Sequence, residues 1–444
     1  MQAPFSAAPH DDVLALLVQI ALLLLTARLL GALAQKLKQP SVAGEIAAGV
    51  LLGPSVLGRL WPETGAWIVP TPGTQGYLLE TVSLIGAMFL LLITGMEMDL
   101  RLIRQRARTA IGVSVGGVTV CMASGFALGW YLPDWARGPS ASQLVFALFL
   151  AIAMSISAIP VIAKVLIDLK MLRRDIGQTI IAAGMSDDTI GWILLSAVAA
   201  LAVGETVTVG STLITVGKVV GFIVVSLTAG RWVIDRIARV IIARFEAHSM
   251  LVTMVVGLGF LFGAVAQALH FEAVLGAFVL GLVVGQIRRI PHAVVRDIES
   301  VGLSVFAPIF FAVAGLKVDV LALTEPRLLW VTGVVVAIAC LGKVVGTYLG
   351  ARLIGGAPHW NALAFGAGLN ARGAMEILIA TIGLRLGILS TDIFSVIVVT
   401  AIATSLMAPP SLRFVLRRVQ PDDDEKARMA REALEQSRRL RPIQ

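Results

Sequence analysis

The stretch IIAAGMSDDTIGWILL (residues 180–195) places two adjacent carboxylates, Asp187 and Asp188, in an apolar run that continues on both sides. A charge at the centre of a bilayer costs roughly 3 kcal/mol on insertion scales, so ionisable residues there need a reason to exist. A helix N-cap at Ser186 and Asp187 is the alternative, but it does not fit helical sequence on both sides. Neighbouring helical positions point about 100° apart, so the two carboxylates cannot both face one cavity. We therefore expect one to face water or a cation and the other to pair with a base.

The composition of the chain agrees with a membrane location for this stretch. Of the 444 residues, 57% are hydrophobic and only 14% are charged, whereas soluble domains carry about a quarter charged residues. This excludes a cytosolic enzyme and a nucleic-acid-binding module, despite the net charge of +8. Cys121 and Cys340 both lie in apolar runs, which predicts neither a disulfide framework nor a metal site. The chain is therefore predicted to be an all-α polytopic membrane protein.

The hydrophobic runs predict the number of membrane crossings. A hydrocarbon core of about 30 Å requires about 20 apolar residues per helix, which predicts about thirteen spans. The N-terminus lacks the charge pattern of a signal peptide, so we expect the first span to be retained. The predicted spans are approximately 13–34, 40–58, 76–96, 109–132, 143–168, 173–201, 209–233, 249–269, 271–287, 299–318, 327–352, 360–386 and 391–415.

The spans predict a transmembrane domain over residues 1–418, followed by a short tail over residues 419–444. Basic residues concentrate in every second connection, such as Lys36 after the first span and Arg173 after the fifth. By the positive-inside rule, the N-terminus is outside and the C-terminus is in the cytoplasm. The tail has acidic residues first and basic residues last, which is typical of a short cytosolic helix. The expected location is the inner (plasma) membrane.

Two short motifs recur after seven predicted spans. FLLLITGMEMDL (89–100) resembles IFFAVAGLKVDV (309–320), and AGEIAAGVLLG (43–53) resembles LGAFVLGLVVG (275–285). Because seven is odd, the two copies would enter the membrane from opposite sides. Such inverted repeats are typical of secondary transporters with a binding site near the membrane midplane; chance similarity between glycine-rich helices is the alternative. The repeats would cover approximately residues 13–201 and 249–415.

Lys343, at the centre of the eleventh span, is the candidate base for the aspartates. A lysine at this depth cannot easily reach either interface, and it stays charged only beside a carboxylate. A structural salt bridge that joins the sixth and eleventh spans is the alternative interpretation. The two interpretations are compatible, because an Asp–Lys pair that can break can also carry a proton.

Two spans are predicted to be discontinuous. Pro160 in the fifth span removes a backbone donor and disturbs the preceding turn. In the twelfth span, Gly368 and Gly373 flank Asn370. Broken helices expose carbonyl groups and helix ends that can coordinate small cations where they line a cavity. The additional oxygens predicted for such a site are those of Ser155, Ser157 and Asn370.

The remaining ionisable residues are predicted to be structural. Arg372 and Glu376 are four residues apart, which favours an intrahelical ion pair that keeps the broken helix in shape. No Walker A run and no TVGYG-type filter are present, which argues against ATP as an energy source and against a pore-loop channel. The other residues predicted to be structural are Glu45, Glu80, Glu97, Asp99 and Lys164, of which Lys164 can extend to the cytoplasmic interface.

Several segments, taken in order, resemble the monovalent cation:proton antiporters, in particular the cation:proton antiporter-2 family. Among them are QPSVAGEIAAGVLLGPSVLG (39–58), SISAIPVIAKVL (155–166), MSDDTIGWILL (185–195) and GLNARGAMEILIATIGL (368–384). The resemblance covers nearly the whole chain. It implies an inverted-repeat fold with a dimerisation domain, a mobile core domain and broken helices at the fifth and twelfth spans. A homodimer is also implied.

The resemblance further implies exchange of Na⁺ or K⁺ for protons by alternating access, with a role in pH homeostasis and without enzymatic activity or a cofactor. Asp188 would be the principal ion and proton carrier, and Asp187 would pair with Lys343. Both aspartates would contact the transported cation, and family members with an Asp-Asp pair tend to be electrogenic. The Kef potassium-efflux systems, which belong to the same family, carry a Gln-Asp pair and a regulatory domain. Neither feature appears in this sequence, which argues against glutathione-gated potassium efflux. A proton-uncoupled potassium channel and an organic-cation exchanger are the alternatives.

Overall fold

The computed structural model describes residues 9–37, 39, 41–68, 74–98, 100–139, 141–202, 209–244, 247–269, 271–317, 325–420 and 425–426. Within these residues the regular elements are helices, and one isolated β-bridge joins Arg137 to Leu389. The helices are His10–Lys36 (α1), Ser41–Leu52 (α2), Leu57–Leu60 (α3), Pro62–Ile68 (α4), Thr74–Met96 (α5), Leu100–Tyr131 (α6), Gln143–Ser155 (α7), Ile159–Asp168 (α8), Asp175–Ala202 (α9), Val209–Val225 (α10), Arg231–Arg244 (α11), Ala247–Ala268 (α12), Ala273–Gly285 (α13), His292–Val301 (α14), Ala307–Leu316 (α15), Pro326–Leu353 (α16), His359–Leu369 (α17), Ala374–Arg385 (α18) and Thr391–Leu416 (α19).

Each predicted span coincides with one helix or with consecutive helices. Among the described residues, ten helices are long and apolar enough to cross a membrane by length and composition. The other three predicted spans correspond to α9, to the 13-residue helix α13 and to the pair α17 and α18. The protein is therefore a multi-pass membrane protein with an all-α fold.

The helix boundaries differ from the predicted spans where charged residues begin or end a helix. α6 begins at Leu100 rather than near residue 109, and the helix that leads into α15 begins at His292 rather than near residue 299. Hydropathy marks only the apolar core of a helix, whereas the backbone hydrogen bonds continue into the charged interface. The short helix α4, in a connection that carried no helical prediction, is a further difference.

The fifth and twelfth spans are broken, as predicted. α7 ends at Ser155 and α8 begins at Ile159, with Pro160 in its first turn, where a missing N–H costs little. α17 ends at Leu369 and α18 begins at Ala374. The two breaks meet, because the backbone N–H of Ala158 donates to the carbonyl of Ala371 at 2.9 Å.

Close glycine contacts in one half of the chain recur in the other half. A Cβ atom at Gly49 of α2 would lie 2.7 Å from the Cα of Gly315 of α15. A Cβ atom at Gly281 of α13 would lie 2.9 Å from the Cα of Gly95 of α5. The motif alignment equates Gly49 with Gly281 and Gly95 with Gly315. The contact between Gly49 and Gly315 is therefore equivalent, under the repeat, to the contact between Gly281 and Gly95. Small residues permit such close helix approach in a membrane protein.

A second pair of glycine contacts is also repeated between the two halves of the chain. Gly44 of α2 packs against Gly31 of α1, and the equivalent Gly276 of α13 packs against Gly263 of α12. Span one and span eight are also seven spans apart. The close helix contacts of the first half of the chain are therefore repeated in the second half.

Candidate ion-binding site

The two aspartates lie in the interior of α9. This helix is continuous from Asp175 to Ala202, so Asp187 is not an N-cap residue. Asp187 is 1% exposed, whereas Asp188 is half-buried. The side chains of these neighbours therefore have different surroundings.

Asp187 forms a fully buried ion pair with Lys343 of α16. The Nζ of Lys343 lies 2.6 Å from Oδ2 of Asp187, and both side chains are 0% exposed. The ammonium group also donates to the carbonyl of Ser155, 2.8 Å away, at the end of α7. Oδ1 of Asp187 accepts a 2.6 Å hydrogen bond from the hydroxyl of Ser114 in α6. The break after α7 thus supplies a carbonyl that helps to hold the buried lysine.

Ser157 links both breaks to the ion pair. Its hydroxyl donates to the carbonyl of Leu369 at 2.8 Å and lies 3.3 Å from Oδ2 of Asp187. The hydroxyl of Ser155 instead donates to the carbonyl of Ile152 within its own helix at 2.9 Å. Ser155 therefore contributes its backbone oxygen to this cluster, where a side-chain oxygen was predicted.

Asp188 has a buried carboxylate oxygen without a partner. Its Oδ1 makes no hydrogen bond, although buried polar atoms in proteins are nearly always hydrogen-bonded. The charges that act on Asp188 are those of Asp187, Lys343 and Glu272. Since Lys343 lies against Asp187, Asp188 is left as the carboxylate that can bind a proton or a small cation.

Asn370 occupies the end of α17 at the second break. Its Nδ2 donates to Sγ of Cys340 at 3.3 Å, and its Oδ1 is buried without a hydrogen-bond partner. Among the described residues, no hydrogen bond joins Asn370 to either aspartate. Its free carbonyl oxygen is nevertheless a candidate ligand for a cation at the breaks.

Arg372 holds the second break in place. Its fully buried guanidinium donates to the carbonyl of Met154 in α7 and, at 3.3 Å, to that of Ala339 in α16. Its Nη1 lies 3.5 Å from Oε1 of Glu376. Since Arg372 precedes the first residue of α18, the pair connects the break to the helix, whereas the spacing in the sequence predicts a pair within one helix.

Gly368 and Gly373 let the broken helix pack closely. A Cβ atom at Gly373 would lie 2.8 Å from Cγ2 of Val161, and one at Gly368 would lie 2.8 Å from Cδ1 of Ile180. A larger residue at either position would therefore press on Val161 of α8 or Ile180 of α9 and require that side chain to shift.

The carboxylates that were predicted to be structural have basic partners in the described part of the chain. Lys164 lies 3.8 Å from Glu45 and 3.4 Å from Asp168, and it is 4% exposed. The prediction that Lys164 extends to the cytoplasmic interface is therefore wrong, because its side chain stays buried beside the carboxylates of Glu45 and Asp168, which compensate its charge. Glu80 pairs with Lys317 and Glu97 pairs with Arg173. Asp99 lies outside the described residues.

Comparison with known proteins identifies the family. The sequence model described as "Sodium/hydrogen exchanger, transmembrane" matches residues 21–418. The chain belongs to the sodium/hydrogen exchanger family. The matched range contains both aspartates, Lys343 and both helix breaks, as the resemblance of the motifs predicted.

The alignments with individual relatives cover this chain and the relatives to different extents. It is 31% identical to the Na(+)/H(+) antiporter NhaS4 of Synechocystis sp., over 90% of this chain and 97% of the relative. It is 31% identical to Cation/H(+) antiporter 20 of Arabidopsis thaliana, over 90% of this chain and 48% of the relative. The K(+)/H(+) antiporter 1 of Saccharomyces cerevisiae is 28% identical over 93% of this chain and 47% of the relative. The chain thus spans about half the length of the plant and yeast relatives.

A solved structure shares the fold of this chain. The sodium proton antiporter MjNhaP1 from Methanocaldococcus jannaschii superposes with a TM-score of 0.60 at 18% identity, covering 90% of this chain and 96% of that structure. The inverted-repeat antiporter fold that the motifs predicted is therefore the fold of this chain.

Sequence reasoning missed two members of the site region. Ser114, the hydroxyl donor to Asp187, is one of many small polar residues in the apolar spans, and it carries no signal of its own. Glu272 stands at the start of α13 and was not considered, although a carboxylate at the start of an apolar span could have been noticed. Neither residue can be assigned to the aspartates without knowing which helices pack together.

Proposed function

We propose that this exchanger is a secondary active antiporter that exchanges a monovalent cation, Na⁺ or K⁺, for protons by alternating access. The observation that carries the proposal is the buried, unpartnered Oδ1 of Asp188 beside an Asp187 that already has a lysine partner. A single free carboxylate in a membrane protein binds either a proton or a cation, and each neutralises it. Relatives named as Na⁺/H⁺ and K⁺/H⁺ antiporters support the same exchange.

The transport cycle follows from competition at Asp188. A proton and a metal cation exclude each other on this carboxylate, so each crossing moves one kind of cargo. An empty, charged Asp188 would oppose movement of the core through the apolar barrier, because burial of an uncompensated charge is costly. Empty crossings are thereby disfavoured, and the two fluxes are coupled.

The buried pair of Asp187 and Lys343 supports electrogenic exchange. Lys343 bonds to Asp187 and to the carbonyl of Ser155 at the break. A core movement that separates the helices on either side would weaken both contacts and allow the lysine to release a proton. The cycle would then move more protons than the single one that Asp188 exchanges.

The oligomeric state, the membrane and the orientation of the protein are part of the same proposal. We place it as a homodimer in the inner (plasma) membrane, with the N-terminus outside and the C-terminus in the cytoplasm. The distribution of basic residues supports the orientation, and the resemblance to dimeric family members supports the oligomeric state. Exposed apolar side chains on α1 and α16, such as Leu29 and Leu341, fit contact with lipid or a second copy.

The test measures coupled proton movement in proteoliposomes that contain the purified protein and an internal pH-sensitive dye. Na⁺, K⁺ and Li⁺ are added in turn to the wild type, to Asp188→Asn and to Asp134→Asn, an exposed carboxylate away from the site. We expect cation-dependent proton movement in the wild type and in Asp134→Asn, and its loss in Asp188→Asn. Cation flux without proton movement would instead indicate a channel, and no response to any of the three would contradict the proposal.

A further inference from the structure

A cavity with a volume of about 90 Å³ lies between α5, α8, α13 and α15. A space of roughly 10–15 Å³ already holds one water molecule, so this cavity has room for several waters or for a partly hydrated cation. Ala158 and Pro160, at the break of the fifth span, form part of its wall. The cavity therefore reaches from the ends of three helices to the broken region beside the aspartates. Its polar lining residues are Glu80, Ser83, Glu272 and Lys317.

An ion pair stands at the exposed end of this cavity. The Nζ of Lys317 lies 2.8 Å from Oε1 of Glu80, and the two side chains are 40% and 55% exposed. Glu80 is near the start of α5, and Lys317 directly follows α15. In the predicted orientation both positions are on the outer face of the membrane. Since Glu80 compensates the charge of Lys317, the mouth does not repel a cation.

Glu272 lies on the wall of the same cavity and has no such compensation. It is half-buried at the start of α13, and its side chain makes no capping hydrogen bond and forms no ion pair or hydrogen bond with any described residue. Its charge nevertheless acts on Asp188. An uncompensated carboxylate that is partly removed from water requires a counter-ion. Ala158 on the cavity wall directly follows Ser157, whose hydroxyl lies 3.3 Å from Oδ2 of Asp187. A transported cation in this cavity would therefore compensate the charge of Glu272 close to the aspartates.

We propose that Glu272 is a positioning residue that binds the cation transiently in this cavity and passes it to Asp188. The inference rests on the proposed antiport and adds that cation uptake differs between the two faces of the membrane. Glu272 raises the local concentration of cations on one face of the membrane only, because the cavity opens to one face. Its loss weakens cation uptake from that face while the exchange chemistry at Asp188 continues.

The test compares right-side-out and everted membrane vesicles that contain Glu272→Gln, which removes the charge and keeps the shape. The measured quantities are the apparent KM for the cation and the maximal rate, for each face. Removal of one charge several Å from a site is expected to raise the KM on the outer face about three- to tenfold. The KM on the inner face and the maximal rate should change less than about twofold, because Glu272 acts on cation uptake from the outer face and not on the exchange at Asp188. Glu272→Asp, which keeps the charge, should restore most of the affinity.

Two further variants make the test specific. Glu325→Gln removes an exposed carboxylate at the start of α16, predicted on the same face but not on the cavity wall, and should leave the KM unchanged. Glu80→Gln leaves Lys317 uncompensated at the mouth and should raise the KM on the outer face, independently of how well Glu272→Gln folds. An unchanged outer-face KM in a folded Glu272→Gln variant, or equal changes on both faces, would overturn the inference, whatever the result for Glu80→Gln. In that case the wild-type protein separates the two proposals. Cation-dependent proton movement in the wild type would still support the proposed antiport, whereas its absence would refute the antiport itself.

Discussion

Asp187 and Asp188 show how one position along a helix separates a carboxylate that pairs with a lysine from one with an unpartnered oxygen among the described residues. Asp187 points towards α6 and α16, where Ser114 and Lys343 surround it. Asp188, turned by about 100°, retains a buried oxygen that no described residue satisfies. The chemistry assigned to each residue follows from the helices that its side chain faces.

The pair of Asp187 and Lys343 gives a prediction about stability. Lys343→Met leaves Asp187 buried without a countercharge, and breaking a buried pair from one side costs roughly 3–5 kcal/mol. We expect a large fall in the Tm measured in detergent. The double variant Asp187→Asn with Lys343→Met should lose clearly less than the sum of the single variants, because the stranded charge is gone.

An exposed ion pair provides the control for this comparison of single and double variants of Asp187 and Lys343. Arg137→Met disrupts the pair with Asp134, whose side chain is 90% exposed, and surface pairs contribute about 0–1 kcal/mol. The Tm of that variant should stay close to that of the wild type. Additive losses in the Asp187 and Lys343 cycle would show that the two residues are not coupled.

Competition at Asp188 gives a prediction about pH. Raising the pH lowers the proton occupancy of the carboxylate and leaves it free for the cation, so by mass action the rate of exchange should rise from mildly acidic to alkaline conditions. Saturating cation should shift the onset of activity to lower pH. The measurement is the initial rate in proteoliposomes at equal pH on both sides, and a rate that is flat from about pH 6 to about pH 9 would contradict competition.

At the scale of the helices, glycine contacts decide which elements meet. α2 and α15 approach each other at Gly49 and Gly315, and α5 and α13 approach at Gly95 and Gly281. The breaks of the fifth and twelfth spans meet through the hydrogen bond between Ala158 and Ala371. These contacts bring α7, α9 and α16 around the same ion pair, although their residues are far apart in the chain.

Gly49→Ala tests the contact between α2 and α15. The new Cβ atom would lie 1.9 Å from the carbonyl oxygen of Ala312, so the helices must separate. Overpacking of this kind costs about 1–3 kcal/mol, which should lower the Tm. Gly333→Ala in α16 is the matched control, because nothing lies within 4 Å of its Cβ position. That variant should be as stable as the wild type or more stable, since alanine favours helix by about 1 kcal/mol. Equal effects of the two substitutions would argue that the contact does not determine the packing.

At the scale of the whole molecule, a residue of the predicted tail contacts the start of the helix that carries the aspartates. Glu425 is buried, and its carboxylate accepts from Nε of Arg174 at 2.7 Å and from Nη2 at 3.3 Å. It also accepts from the backbone N–H of Asp175, the first residue of α9, at 3.3 Å. The rest of the predicted tail, apart from residues 419, 420 and 426, lies outside the described residues.

Glu425→Gln should loosen the beginning of α9. The variant loses a two-point, charge-assisted contact and its favourable interaction with the positive end of the helix dipole, together roughly 1–3 kcal/mol. We expect faster hydrogen–deuterium exchange in the first turns of α9, while exchange in α16 stays unchanged. Glu63→Gln, at an exposed carboxylate of α4, is the control. Unchanged exchange in α9 would mean that the contact does not stabilise the helix start.

The membrane-spanning helices, the two breaks and the residues able to carry charge are predictable from the sequence, because these features depend on local properties. Apolar run length defines a span, Pro160 removes a backbone donor, and an aspartate in an apolar run is costly wherever the helix packs. Other features emerge only in three dimensions: Lys343 lies against Asp187 with Ser114 beside them, Lys164 is buried between two carboxylates, and Glu272 lines a cavity at the break of the fifth span. These contacts join residues on separate spans, and they depend on which helix faces approach at the glycines. Hydropathy does not encode that choice, since apolar side chains face both lipid and neighbouring helices.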